Sequence, residues 1–210
     1  MPSATLSPRT PRSLQPNIQR REWLTLLAVS PLALAACSKK EEAPAKAEAK
    51  NISPTEGFER VVSEGKGFTV GAMMSANTVY VLFDAQCPHC GHLWEQSRPL
   101  LKKLKFVWMP VAFINAKSAP QGAALLSAAN PLEAMDAHEA SILAKTGGMS
   151  APSSVPDDLA AAVKKNTDLL NAMGVGSVPY VMVKNSTTGA VVTHEGAMET
   201  AGLEQFVGLN

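Results

Sequence analysis

The chain has 210 residues, 19 basic against 18 acidic side chains, a formal net charge of +1 and three cysteines. A balance this even provides no basic stripe, so nucleic acid is excluded as an expected partner. The length suits one domain with a real core, and three cysteines are too few for a disulfide framework.

The first residues read as an export signal. Arg9, Arg12, Arg20 and Arg21 precede an apolar stretch from Trp23 to Ala36, with Glu22 the only acid in this region. At about 14 residues the stretch is shorter than the roughly 20 that a spanning helix needs. A basic start, a short apolar run and a small-residue ending make a signal peptide over residues 1–36. Leu34-Ala35-Ala36-Cys37 resembles a bacterial lipobox, which implies lipidation at Cys37. An ordinary signal peptide with a chance cysteine is the plainer alternative. Arg20-Arg21-Glu22-Trp23-Leu24 resembles a twin-arginine export motif, although any signal peptide can carry two arginines. Removing residues 1–36 takes away four Arg and one Glu, leaving a net charge of −2. Export also places the remaining cysteines in an oxidising compartment, here the periplasm-facing cell envelope of a bacterium.

Residues 37–53 read as the lipidated cysteine and a charged, alanine-rich tether with no apolar face. A domain is expected over 54–210. Its first strand is Gly65 to Gly71, bounded by glycines, and its second is Thr78 to Phe83, apolar on both faces. A helix runs from Pro88 to Leu104, with a kink at Pro99. A strand follows over 106–113. Two alanine-rich helices, 120–129 and 131–145, form an insertion ended by Gly147-Gly148. A Ser/Pro-rich loop leads to a helix over 157–173, with Asp157 and Asp158 in its first turn. Strands over 179–184 and 190–194 form a hairpin, and a helix over 198–209 closes the chain. The crossover helix between the second and third strands makes them parallel, while the hairpin is antiparallel. The fold class is therefore α/β, with a mixed central sheet, helices on both faces and a helical insertion.

Cys87-Pro88-His89-Cys90 lies between a buried strand and a helix, a position suited to thiol–disulfide exchange. Helix N-terminal amides stabilise negative charge, so Cys87 is the expected nucleophilic thiolate, facing solvent. Cys90, one turn inside, is the expected resolving thiol. Pro88 stiffens the first turn, where a missing N–H matters little. His89 can stabilise the Cys87 thiolate through its imidazole, or merely point into water. Asp84 either accepts a proton during resolution or caps the turn. No organic cofactor is required. Cys87 and Cys90 with a nearby histidine, His89 or His92, also look like part of a metal site. A metal-binding or metallochaperone domain is therefore the competing reading. The side chains at 89 and 92 project around the helix and do not converge with the cysteines, so no metal ligand is assigned. His138 and His194 are isolated. A third reading is a client-holding adaptor using Met73 and Met74, although such methionines are usually core or loop filler.

The stretch Val79-Tyr80-Val81-Leu82-Phe83-Asp84-Ala85-Gln86-Cys87-Pro88-His89-Cys90 resembles the thioredoxin superfamily, within it the DsbC/DsbG branch of periplasmic thiol:disulfide interchange proteins. Leu93 to Pro99, and Asn166 to Val175 followed by Val178-Pro179, resemble the next helix and the cis-proline loop of that branch. The resemblance implies a thioredoxin-like fold, a thiol:disulfide oxidoreductase or isomerase activity and a cis bond at Pro179. It also implies that Val178 and Pro179 dock a substrate strand by strand addition. Expected partners are exported cysteine-containing proteins and a membrane redox protein of the DsbD or DsbB type. Three features depart from the branch. No dimerisation domain precedes the fold, so a monomer is expected rather than a DsbC-type dimer. Valine, not threonine, precedes the proline. The Pro-His dipeptide is shared with DsbA, which implies a more oxidising pair than the scaffold suggests.

Overall fold

A computed structural model describes residues 51–151 and 154–209. The leader, Cys37 and the tether up to residue 50 lie outside the described residues. Among the described residues no helix is long and apolar enough to cross a membrane.

The domain begins with a helix that the sequence reading lacked, α1 (Pro54–Glu64). Its signal was present in Ser53-Pro54-Thr55-Glu56. The Ser53 hydroxyl accepts from the Glu56 N–H at 3.2 Å, and Pro54 occupies the first turn. This is half of a capping box with proline where its missing N–H is harmless. Strand β1 is short (Phe68–Gly71). Strand β2 (Thr78–Asp84) leads into helix α2 (Pro88–Ser97). The expected kink is instead a termination. Pro99 cannot donate to the helical ladder, and Arg98–Leu100 tighten into a 3-10 turn.

Strand β3 (Lys105–Val111) follows, then the insertion of α3 (Ser118–Leu126) and α4 (Pro131–Leu143). Helix α5 (Asp157–Ala172) leads to β4 (Tyr180–Lys184), β5 (Val191–Glu195) and α6 (Thr200–Val207). The five strands lie in the order β1-β3-β2-β4-β5. Only β2 and β3 are parallel, in a register that sets Val81 opposite Trp108 and Asp84 opposite Val111. The β1–β3, β2–β4 and β4–β5 pairs are antiparallel. Helices α1, α3 and α5 pack as one group, and α2, α4 and α6 as another.

The central position of β2 explains its composition. Val81, Leu82, Phe83 and Asp84 are all fully buried, so both faces must be covered. Phe83, Trp108 and Trp94 form an edge-to-face chain, with centroids 5.4 and 5.2 Å apart. Each such pair adds about 0.5–1.5 kcal/mol beyond its buried area. The chain ties the inner face of α2 to the β2–β3 ladder. It thereby fixes where the start of α2 sits relative to the end of β2.

Candidate active site

The site is assembled at the carboxyl end of β2. Asp84 closes the strand, Ala85-Gln86 turn the chain, and Cys87 is the N-cap of α2. The Cys87 N–H donates to the Asp84 carbonyl at 3.0 Å. Cys87 is extended (φ −98°, ψ 112°), which aims its side chain back across the helix start. Pro88 fills the first helical position and is exposed.

Asp84 is wholly buried and anchors the turn with its carboxylate. One oxygen accepts the Gln86 N–H at 2.8 Å. The other accepts the Phe113 and Ile114 N–H groups at 2.7 and 2.8 Å. A single carboxylate thus stitches the active-site turn to the segment after β3. Asp84→Asn should disrupt this, since its amide must point a donor at one of these N–H groups. We expect stability to fall by about 1–3 kcal/mol. The same change removes a negative charge that raises the Cys87 pKa, so the thiolate should form at lower pH. Denaturant unfolding and pH-dependent alkylation of the one variant check both.

The two thiols are free, and their environments differ. The Cys87 pKa is lowered from 9.0 to about 7. The chief cause is a hydrogen bond from the Cys90 thiol, with the backbone N–H groups of Cys90 and His89 adding to it. Burial and the Asp84 charge act in the opposite direction. Cys90 is completely buried, and its pKa is pushed well above the ordinary value by desolvation and by its role as donor to Cys87.

Cys87 does not face open solvent. It is 4 % exposed, because the loop between α5 and β4 folds over it. The Cys87 Sγ lies 3.4 Å from the Val178 carbonyl oxygen, and the Val178–Pro179 bond is cis. The structure thus brings Cys87, Cys90, Asp84, Val178 and Pro179 together. The His89 side chain is exposed, and the part of His89 that reaches the sulfur is its backbone N–H. His92 is also exposed, beside Glu95. Among the described residues no group of three or more His, Cys, Asp or Glu side chains could hold a metal ion. Met73 and Met74, offered for the adaptor reading, are exposed on the turn between β1 and β2.

The sequence reading missed a polar cluster contributed by the insertion. Gln86 donates to the Gln121 side-chain oxygen at 2.5 Å and to the Gly147 carbonyl at 3.1 Å. Gln121 donates to the Gly147 and Met149 carbonyls, each at 2.8 Å. His138 is fully buried, with Nε2 2.7 Å from the Ala85 carbonyl, while Nδ1 accepts the Met149 N–H at 3.1 Å. These partners fix the neutral Nε2–H tautomer, and burial lowers the His138 pKa. Next to it, Glu139 is 1 % exposed, and its pKa is raised to about 9 by desolvation and by the charges of Cys87 and Asp84. A signal for both residues existed. Met135, His138, Glu139 and Ile142 recur at helical spacing, so two apolar neighbours place the histidine and the acid on the buried stripe.

No protein-family model matches the chain. It is 27% identical over 140 residues to the thiol:disulfide interchange protein DsbG of Pseudomonas aeruginosa, covering 66% of this chain and 54% of that protein. It is 29% identical over 116 residues to the Escherichia coli DsbG, covering 52% and 45%. The chain thus spans about half the length of the curated relatives it matches. A crystal structure of a periplasmic thioredoxin-like protein from Salmonella enterica serovar Typhimurium superposes with a TM-score of 0.58 at 16% identity, covering 75% of this chain and 97% of that one. The domain has the thioredoxin-like fold, and its sequence is similar to that of DsbG.

Proposed function

We propose that this domain is a thiol:disulfide oxidoreductase acting on exported proteins. The reading rests on one observation, the unequal pair of thiols at the start of α2. Cys87 has a pKa near neutrality and lies against the Val178 carbonyl, whereas Cys90 is wholly buried, protonated and its hydrogen-bond donor. In this reading Cys87 is the sulfur that forms the mixed disulfide, and Cys90 resolves it. Asp84 holds the turn, Pro88 stiffens it, and the N–H of His89 tunes the sulfur. Val178 and Pro179 present their backbone beside Cys87, where a client strand would lie. The similarity to DsbG supports exported cysteine-containing clients and a periplasm-facing location. Lipidation at Cys37, with export by the twin-arginine or general route, would tether the domain to the envelope.

The Cys87 environment bears on the direction of exchange. A pKa of about 7 is close to that of thioredoxin (about 7) and far from the roughly 3.5 of DsbA. At pH 7 a shift from 9.0 to about 7 stabilises the reduced form by only about 0.4 kcal/mol. The pair therefore lacks the strong thiolate stabilisation of an oxidase, despite its Pro-His dipeptide. We favour a reductase or isomerase, kept reduced by a membrane partner of the DsbD type. Acid trapping and alkylation in cells should find Cys87 and Cys90 mostly reduced. A mainly oxidised pair would instead assign the oxidase role, with a DsbB-type partner.

Cys90→Ala tests the exchange reading itself. The variant is expected to accumulate mixed disulfides through Cys87 in the envelope, and mass spectrometry would name the clients. An absence of adducts would overturn the reading.

A further inference from the structure

The connection between β1 and β2 has a tip of unusual composition. Ala72 to Ser75 form a tight turn, closed by the Ser75 N–H donating to the Ala72 carbonyl at 2.8 Å. Its two central residues are Met73 and Met74, 61 % and 97 % exposed. Glycine, proline, asparagine or aspartate usually hold such positions, and two methionines supply nothing that the turn itself requires. The base of the turn is fixed. The Ala72 N–H donates to the Leu104 carbonyl at 2.9 Å, and the Ser75 hydroxyl donates to the Lys103 carbonyl at 2.9 Å. Two apolar side chains therefore stand out into water from a rigid support.

That support is basic. The segment Leu101-Lys102-Lys103-Leu104-Lys105 supplies the carbonyls that hold the turn, and Lys105 lies opposite both Gly71 and Thr78. Lys184 ends β4 at the same end of the sheet, since its neighbour Val183 lies opposite Val79. Lys103 pairs with Glu204 of α6 at 2.8 Å. Among the described residues Lys102, Lys105 and Lys184 make no ion pair, and Lys102 and Lys184 are exposed. Residues 51–210 carry 11 Lys and Arg against 14 Asp and Glu, a net charge of −3. An acidic domain thus gathers four of its cations around one methionine tip.

We propose that this end of the domain docks on an anionic lipid surface. Met73 and Met74 enter the headgroup layer, and Lys102, Lys103, Lys105 and Lys184 face the lipid phosphates. The two features suit the same partner. Methionine is flexible and apolar, so it enters a boundary layer without needing a shaped pocket. Lysine carries its charge on a long apolar stem, so the stem lies along the lipid while the ammonium stays with phosphate and water. Apolar contact and attraction to anionic lipid add to one another at a membrane surface.

Docking in this way sets the direction in which the redox pair points. The methionine tip lies beyond the amino end of β2, and Cys87 lies beyond its carboxyl end. The strand Thr78–Asp84 separates the two by about 20 Å. A domain seated on its methionines holds Cys87 and Val178 away from the bilayer, open to clients arriving from solvent. In the anchored state proposed above, residues 38–50 would span up to about 45 Å, so the tether leaves the orientation free and the surface of the domain chooses it. The docking itself requires neither the anchor nor the exchange chemistry.

The test mixes the full chain with vesicles of phosphatidylcholine, alone or with phosphatidylglycerol, after alkylation of Cys87 to spare it from peroxide. Brief peroxide treatment and mass spectrometry then read Met73 and Met74. Both should oxidise at least about fivefold more slowly on the mixed vesicles than on the neutral ones, and the protection should fade as salt rises. Each lysine near an anionic surface contributes about fivefold, so Lys102→Glu with Lys184→Glu should weaken binding to mixed vesicles by about 25-fold or more. Met74→Ser, at a position with almost no packing, should weaken it as well. Parental binding in both variants, or oxidation on mixed vesicles at the solution rate, would overturn the docking. Equal protection on the two kinds of vesicle would also overturn it, because the apolar stretch Trp23–Ala36 can carry the chain to any lipid. Protection that needs no vesicles and grows with protein concentration would give the tip to a second copy of the chain instead.

Discussion

Cys87→Ser is expected to abolish disulfide exchange altogether, because a hydroxyl cannot form the mixed disulfide. In the parent protein, alkylation of Cys87 should rise with pH through a midpoint near 7. Cys90 should stay unreactive while the fold is intact, since it is buried and its thiol is held protonated. Mass spectrometry after brief alkylation across a pH series would read both sites at once. Equal labelling of the two cysteines would contradict the asymmetry on which the functional reading depends. The sign of the pH effect follows from the lowered pKa. A thiol whose folded pKa lies below its unfolded value stabilises the reduced fold fully above the unfolded pKa. That contribution disappears as pH falls through about 7.

Glu139→Gln is expected to make the domain more stable at neutral pH. The pKa of Glu139 rises from an ordinary 4.5 to about 9 on folding, so the folded state retains a proton that the unfolded state has lost. Stability must then fall as pH rises from about 4.5 towards about 9. At pH 7 the penalty is about 3 kcal/mol, which is large against a typical total of 5–15 kcal/mol. Glutamine does not titrate, so this slope should vanish from the stability profile of the variant. Denaturant midpoints at several pH values would show it. A variant with the parental slope would mean that Glu139 ionises in the fold as readily as in solution.

Much of the architecture could be read along the chain. Thr78–Phe83 is apolar throughout because a central strand is covered on both sides, and that pattern is visible without coordinates. The parallel pairing of β2 with β3 follows from the helix between them, and the hairpin of β4 and β5 from the turn between two short apolar runs. Pro99 gave a break at the correct place but of the wrong kind, since only the packing of the following turn decides between a kink and an end. Helix α1 was overlooked because its polar, charged surface outweighs a buried face of two residues, Gly57 and Val61. Its cap, Ser53 with Pro54 and Glu56, was nevertheless plain in the sequence.

The cysteine pair, its place between a strand and a helix, and the unequal roles expected of its two sulfurs were determined by the sequence itself. Those features are local, because residues three apart at a helix start share one turn whatever surrounds them. The tertiary structure decided what surrounds the sulfurs. Val178 covers Cys87 from 91 positions away, and Asp84 reaches Phe113 and Ile114 beyond the end of β3. It also turned His89 outward, so that a backbone N–H rather than an imidazole tunes the thiolate. Above all it brought α4 against α2, which buries Glu139 behind Cys90 with no partner. Desolvation depends on everything packed around a group, and no spacing within one helix encodes it.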